Sequence, residues 1–306
     1  MQWERDFMIR VLLVGENEVE ARDVRAMLQQ AGQGQIEVTH VTRLSSALRR
    51  LSAESFDAIL LDGVLVDTHG LDTLDLVQAA LARMPIVVMT DQHDPALERK
   101  TIQRGVQDVI VKKQWTPEQL ARAVHHAVDR KRAEQNLAYL AQYDPLTALA
   151  NRALFRDRLA HALAMAKRKK HEVGVVLLGL DRFQEVAAQH GLEVGDALLT
   201  AIADRLKQCM REVDTVARLG GDVFTCLLEG ITCKNDMEIV AKRILVSLAQ
   251  PVKMTDQETV VTVSLGLAVY PLDGQEADEL LDRAKEAMTR AQEAGGNGYH
   301  LNVSQG

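Results

Sequence analysis

Cysteine is scarce in this sequence: its 306 residues hold 3, at Cys209, Cys226 and Cys233. An odd, widely spaced set supplies neither a disulfide framework nor a metal knuckle, and it fits a reducing compartment. No apolar run reaches the roughly 18 residues of a membrane span, and Met1 to Arg10 lacks an apolar signal stretch, so a cytoplasmic protein without membrane insertion is expected. Proline and glycine, at 6 and 19, leave no room for a long disordered linker. Positive charge is not in excess either. The 36 Lys and Arg against 43 Asp and Glu give a net charge of -7, which argues against nucleic acid as a partner while leaving small anions as ligands.

What is present is an ordinary globular composition, 47% hydrophobic and 26% charged. At about 100 to 200 residues per domain, the length suits two domains. Between Ile9 and the region after Pro117, a short apolar run followed by a stretch at helical spacing occurs five times. The runs are Ile9 to Val14, Ile36 to Val41, Ala58 to Leu61, Ile86 to Met89 and Val109 to Val111, and the helical stretches include Leu71 to Ala82 and Glu98 to Arg104. Short, continuously apolar strands alternating with amphipathic helices predict an α/β fold, a (βα)5 doubly wound parallel sheet covered on both faces. In such sheets functional groups gather beyond the carboxyl ends of the strands. Those ends carry Glu16, Asp62, Thr90 and Lys112. A carboxylate that accepts phosphoryl, a second carboxylate near Mg2+, a hydroxyl for a phosphoryl oxygen and a balancing ammonium make a coherent phosphate site.

Residues 9–130 resemble the receiver domain of bacterial two-component response regulators. Asp62, in Leu60-Leu61-Asp62 with Asp67 and Gly70 following, falls where that family carries its phosphorylated aspartate, and Thr90 and Lys112 match its hydroxyl and lysine. The resemblance implies phosphorylation of Asp62 by a sensor histidine kinase or a small phosphodonor, with Mg2+ held by Glu16 and Asp62. Gly15-Glu16 stands where the family has two acidic residues, Val109 where it has an aromatic switch, and Lys113 where it often has proline. These departures predict weaker metal binding and an altered relay. A pseudo-receiver serving mainly as a dimerisation platform is the alternative.

From Pro117 to Gln142 no breaker interrupts a helical pattern, which opens on Thr116 as a candidate N-cap and Pro117 in the first turn. Over 117–142 an intermittent apolar seam through Leu120, Val124, Leu137 and Leu140 predicts one connector helix, continuous with the last receiver helix, whose second half pairs in a homodimer.

Residues 143–303 read as a second α/β module with a central mixed sheet. Strands are expected at Val173 to Leu178, Val223 to Leu228 and Val260 to Val269, with helices at Leu154 to Lys170, within Gly191 to Met210, at Met237 to Leu248 and at Leu280 to Ala294. Asp144-Pro145-Leu146-Thr147, Asn151-Arg152, Leu180-Asp181-Arg182-Phe183, Gly195-Asp196, Gly220-Gly221-Asp222-Val223-Phe224 and Ser264-Leu265-Gly266 resemble the motifs of the GGDEF domain, the family of diguanylate cyclases, whose fold resembles nucleotide cyclases. The resemblance implies that two GTP molecules meet across a dimer on divalent metals. Gly179 stands where the family has its first metal-binding aspartate, and Val223 where the signature has its second acid. Gln184, Ala187, Ala188, Leu192, Gln292 and Gly296 also replace family residues that contact nucleotide or lie beside those contacts. The degenerate nucleotide site is therefore Gly179, Asp181, Asp196, Gly220, Gly221, Asp222 and Val223. The expectation is a regulatory domain without enzyme activity. Residual diguanylate cyclase activity and a phosphorylation-independent dimerisation module are the alternatives. Arg211 and Asp214 match the family's inhibitory pair and imply cyclic di-GMP as a regulatory ligand. The chain stops where relatives often continue into a phosphodiesterase EAL domain, so it is expected to be a fragment of a receiver-GGDEF-EAL protein.

Overall fold

A computed structural model describes residues 8–32, 34–63, 65, 84–112, 115–231, 234–253 and 258–302. The chain divides into two compact units, Met1–Leu137 and Ala138–Gly306. In the first, strands β1 (Ile9–Val14), β2 (Ile36–Val41), β3 (Ala58–Asp62), β4 (Ile86–Thr90) and β5 (Asp108–Val111) form an all-parallel sheet in the order β2-β1-β3-β4-β5. Helices α1 (Glu18–Ala31), α2 (Leu44–Ala53), α3 (Pro95–Gln103) and α4 (Pro117–Leu140) accompany them. The strands are apolar on both faces because helices cover both. Val11, Leu13, Leu60 and Val87 pack with Val24, Leu28, Leu120 and Val124, and Leu12, Val14, Ile59 and Val88 pack with Leu44 and Ala47. The predicted (βα)5 fold is the observed one. The strand order turns back between β1 and β3, and the crevice at their carboxyl ends is where such a sheet presents chemistry. The helix expected over Leu71 to Ala82, together with Asp67, Gly70 and Lys113, lies outside the described residues.

Helix α4 runs unbroken for 24 residues, ending two residues short of the expected Gln142. Leu120, Ala121, Val124, Ala127 and Val128 are buried, whereas Leu137, Tyr139 and Leu140 are exposed.

The second unit contains β6 (Glu172–Leu180), β7 (Thr215–Gly220), β8 (Val223–Ile231), β9 (Val252–Lys253), β10 (Glu258–Thr259), β11 (Val263–Tyr270) and β12 (Gly298–Leu301). Its mixed sheet has the order β12-β11-β6-β8-β7, with β11 and β12 parallel and the other neighbours antiparallel, while β9 and β10 pair separately. Helices α5 (Arg152–Lys169) and α9 (Ala277–Glu293) cover one face through Phe155, Leu159, Leu280 and Ala284. On the other, α7 (Leu192–Gln208) and α8 (Lys234–Leu248) bury Leu198, Ile202 and Ile244 against Leu178 and Phe224. The short helix α6 (Phe183–His190) joins β6 to α7. It escaped the sequence reading because it fully buries no residue, which leaves no apolar stripe to detect. The edge strands β7 and β12 also escaped: β12 buries no residue fully, and β7 buries only Thr215 and Ala217. The third expected strand begins at Val263 rather than Val260.

Gly266 of β11 sits directly beneath α9, where an added Cβ would collide with the Ala284 carbonyl and the Met288 amide. Both obstacles are backbone, so the helix itself would have to move. Gly266→Ala is expected to cost on the order of 1 to 3 kcal/mol by overpacking. A lowered thermal midpoint for the second unit checks it, and an unchanged one would show that α9 shifts freely.

Candidate functional site

In the first unit the carboxyl ends of β3, β4 and β5 deliver Asp62, Thr90 and Lys112. Asp62 and Lys112 are buried, at 8% and 5% exposure. The Lys112 ammonium donates to Asp62 Oδ2 at 2.6 Å. It also donates to Glu20 Oε2 at 3.2 Å, and the Asp91 carboxylate lies 3.8 Å away. Burial alone would lower the lysine pKa, but the hydrogen bond and charge of Asp62, then those of Glu20, outweigh it and hold the value above the ordinary lysine range. The ammonium is therefore charged through neutral pH, and its contribution is lost as pH rises past that raised value. Thr90 Oγ1 donates to the Gln92 carbonyl at 3.1 Å. Glu16, read as the second acid, is exposed. Glu20, which sequence reading passed over, is the carboxylate that reaches Lys112. The available signal was an acid in the first turn of the helix that follows the strand end.

In the second unit Gly179 pairs with Val223 across β6 and β8, so the two positions that lack the family's acids face each other in register. A Cβ at Gly179 would lie 3.1 Å from Gln292 Nε2 and 3.3 Å from Met288 Sδ, both ends of flexible side chains. Asp181 is committed elsewhere: Oδ1 accepts from Ser264 Oγ at 2.7 Å and Oδ2 from the Asn297 amide at 2.9 Å. Asp196, on α7, is exposed. Gly221 and Asp222 form a two-residue loop between Gly220 and Val223, with φ of +129° at Gly220 and +56° at Gly221. Only glycine takes both conformations without strain. A Cβ at either glycine would meet nothing within 4 Å, so the hairpin tip is open to close approach by a ligand.

That tip is clamped. Arg218 donates to the Gly221 carbonyl at 2.9 Å through Nε and 2.7 Å through NH2, and through NH1 to Asp144 Oδ1 at 3.1 Å. Asp144 also accepts from the amide and hydroxyl of Thr147 at 2.9 and 2.7 Å. Arg152 donates to the Leu219 carbonyl, and Asn151 caps α5 by accepting from the Leu154 amide. The opening motif thus braces the signature hairpin, a role for Arg218 that no sequence pattern announced. Partial burial would raise the Asp144 pKa, but Thr147 and Arg218 together bring it below the usual carboxylate value.

Arg211 and Asp214 lie at a cavity of about 90 Å³ that Glu229, Asp236 and Arg243 also line. Here the Arg211 amide donates to Asp214 Oδ2 at 2.9 Å. Among the described residues no group of three or more His, Cys, Asp or Glu is placed to hold a metal, and no helix is long and apolar enough to cross a membrane. Mg2+ keeps several waters and needs only one or two carboxylates; of the two expected donors, Asp62 lies in the buried site and Glu16 is exposed. The cleft around Gly179 and Val223 does not fit a pair of metals, because glycine and valine offer no side-chain oxygen and Asp181 is already engaged.

These two units define a receiver followed by a nucleotide-cyclase-like domain. The family model "Diguanylate cyclase, GGDEF domain" matches residues 141–298, and "Response regulator receiver domain" matches 11–125. The chain belongs to the GGDEF family and carries a receiver domain ahead of that domain. Among relatives, the bifunctional diguanylate cyclase/cyclic di-GMP phosphodiesterase MucR of Pseudomonas aeruginosa is 38% identical over 173 residues, 56% of this chain and 25% of its own. An uncharacterized signaling protein of Caulobacter vibrioides is 29% identical over 305 residues, 91% of this chain and 38% of its own. Diguanylate cyclase TpbB of Pseudomonas aeruginosa is 38% identical over 154 residues, 50% of this chain and 35% of its own. The solved GGDEF domain of TpbB matches at a TM-score of 0.52 and 34% identity, covering 53% of this chain and 94% of that one. This chain thus spans well under two thirds of these curated relatives.

The likeness to proteins named as diguanylate cyclases corrects the expectation, drawn from Gly179 and Val223, of a chain that is not an enzyme. That expectation counted lost ligands one by one. It gave no weight to the hairpin, its glycines and its clamp, all of which are in place.

A carboxyl with a depressed folded-state pKa contributes stability that is present above its unfolded value and lost as pH falls through the folded one. The second unit should therefore lose stability on acidification below the usual aspartate range, and Asp144→Asn should flatten that part of the profile. Thermal unfolding followed from neutral to strongly acidic pH checks this; identical slopes for parent and variant would contradict it.

Proposed function

We propose that this chain is a phosphorylation-responsive protein of cyclic di-GMP signalling. Asp62 accepts a phosphoryl group from a sensor histidine kinase or a small acyl phosphate, and the GGDEF domain condenses GTP as a residual diguanylate cyclase. The observation that carries the reading is the intact, open Gly220-Gly221-Asp222 hairpin in a domain 38% identical to a named diguanylate cyclase. In the reaction each GTP 3'-hydroxyl attacks the α-phosphorus of the other GTP, and two pyrophosphates leave as two phosphodiester bonds close. Two copies must face each other, so the working form is a homodimer. The glycines let nucleotide phosphate approach the backbone, Arg218 keeps the tip in shape, and Asp222 and Asp196 supply polar contacts. Arg211 and Asp214 bind the product, cyclic di-GMP, as a regulatory ligand, with guanidinium and carboxylate chemistry suited to guanine edges and phosphate.

The paired positions Gly179 and Val223 set the speed. Gly179→Asp with Val223→Glu restores two facing carboxylates, and the neighbours of Gly179 are mobile side-chain ends that can yield. Cyclic di-GMP formed from GTP and Mg2+, quantified by chromatography, should rise at least about 100-fold in the double variant, the scale on which removing one electrostatic contributor changes kcat. Product from neither chain would sink the cyclase reading. For the receiver, treatment with acetyl phosphate should add one phosphoryl mass that Asp62→Asn abolishes. Mass gain that survives the substitution, or none at all, would refute Asp62 as acceptor.

A further inference from the structure

We propose that Glu20 is a positioning residue for phosphoryl chemistry at Asp62, one that competes with the phosphoryl group for the Lys112 ammonium and shortens the life of the aspartyl phosphate. The inference rests on the reading of Asp62 as acceptor. Lys112 is held by Asp62 Oδ2 at 2.6 Å and by Glu20 Oε2 at 3.2 Å, and its own side chain is only 6% exposed. One buried cation therefore serves these two carboxylates at hydrogen-bond distance, with the more exposed Asp91 farther off at 3.8 Å.

Glu20 is fixed in that role by its place on α1. It is the third residue of the helix, and its amide donates to the side chain of the N-cap Asn17 at 3.2 Å. The cap fixes the backbone of this turn, and an anion in the first turn is favoured by the helix dipole. Gly15 supplies the reason that a residue this far along the chain can be used. A Cβ at Gly15 would lie 3.6 Å from Asp62 Oδ2, the oxygen that binds Lys112, so a side chain there would abut the ion pair. With glycine in that place and its carbonyl in hydrogen bond with His40 Nε2 at 2.7 Å, the strand end contributes no side chain. The neighbouring acid comes instead from α1.

Phosphorylation changes the demands on Lys112. A carboxylate oxygen of Asp62 forms a bond to phosphorus, the donor's P–O bond breaks, and the donor's carboxylate leaves. Asp62 loses its own charge, while the phosphoryl group brings about two negative charges to the same spot. Lys112 is then needed on the phosphoryl oxygens, and Glu20 both retains a share of the ammonium and repels the new charge. Both effects favour the back reaction with water, in which the bond between phosphorus and the Asp62 oxygen breaks to return carboxylate and inorganic phosphate.

The test uses the full chain treated with acetyl phosphate, cleared of donor, and followed by intact mass. Replacing Glu20 by Gln keeps its size and removes its charge; Glu20→Ala removes both, and Glu20→Asp keeps charge at shorter reach. The aspartyl phosphate of Glu20→Gln and Glu20→Ala should persist about threefold longer than the parent's, a change of the size expected for a partly exposed ion pair, with Glu20→Asp in between. Thermal midpoints equal to the parent's would set this apart from a merely structural effect. Equal decay in all four chains, or faster decay without the charge, overturns the role of Glu20 while leaving Asp62 as acceptor. No mass gain in any chain overturns the acceptor and this inference together.

Discussion

A charge taken out of water must be met by an opposite charge or by hydrogen bonds, and that requirement organises both units. In the receiver, Lys112 is buried at the end of β5 and has Asp62 at 2.6 Å. Without Asp62 that buried ammonium would be left with Glu20 at 3.2 Å and Asp91 at 3.8 Å in place of its nearest carboxylate. The pair is therefore a structural element of the sheet's carboxyl end. In the GGDEF unit, Arg218 has side-chain exposure of 11% and Asp144 of 17%, and the fork of the guanidinium divides its donors between that carboxylate and the Gly221 carbonyl. Here the pairing fixes a loop rather than a reactive group.

The two sheets put their chemistry in different places for a reason of topology. A parallel sheet points all its carboxyl ends one way, so residues far apart in sequence, such as Asp62 and Lys112, meet without any special turn. The mixed sheet has no common end. Its functional residues come from a hairpin between antiparallel neighbours, and what matters is register: Val223 opposite Gly179, Gly179 opposite Ser264. A substitution in one strand is felt by its partner across the ladder. Gly179 and Val223 are such partners, which makes their departure from the family's acids one local change rather than two scattered ones.

Much of this was legible in the sequence where periodicity and burial coincide. The five apolar runs of the receiver lie between helices on both faces, so nearly every residue from Val11 to Val14 is fully buried and the strand stands out. Asp62 and Lys112 follow as the polar residues that end such runs. The partly buried strands β7 and β12 and the helix α6 carry no such contrast. Arg218 was invisible in its role because its two partners, Asp144 and Gly221, come from opposite sides of it in the chain and meet only in the fold. Glu20 was hidden by assumption. The acid was sought at the strand end, where Glu16 is exposed, while the first turn of α1 carried the carboxylate that faces Lys112.

The end of α4 shows how a fold can prepare a connection between a helix and a hairpin without any loose segment. Tyr139 stacks on Tyr143, with ring centroids 4.8 Å apart, immediately beyond the last helical turn. Asn151 donates through Nδ2 to the Leu140 carbonyl and through its amide to the Gln142 carbonyl, while its side-chain oxygen caps α5. Asp144, in the same turn, reaches Arg218, and Arg218 holds Gly221. Hydrogen bonds thus tie the end of α4 to Asn151, and an ion pair ties the neighbouring turn to the signature hairpin. Such links become coupling only when the helix end has two positions with different stability. Leu137, Tyr139 and Leu140, on the stretch of α4 beyond its buried stripe, are exposed, so the helix end is held by these polar contacts and not by apolar burial.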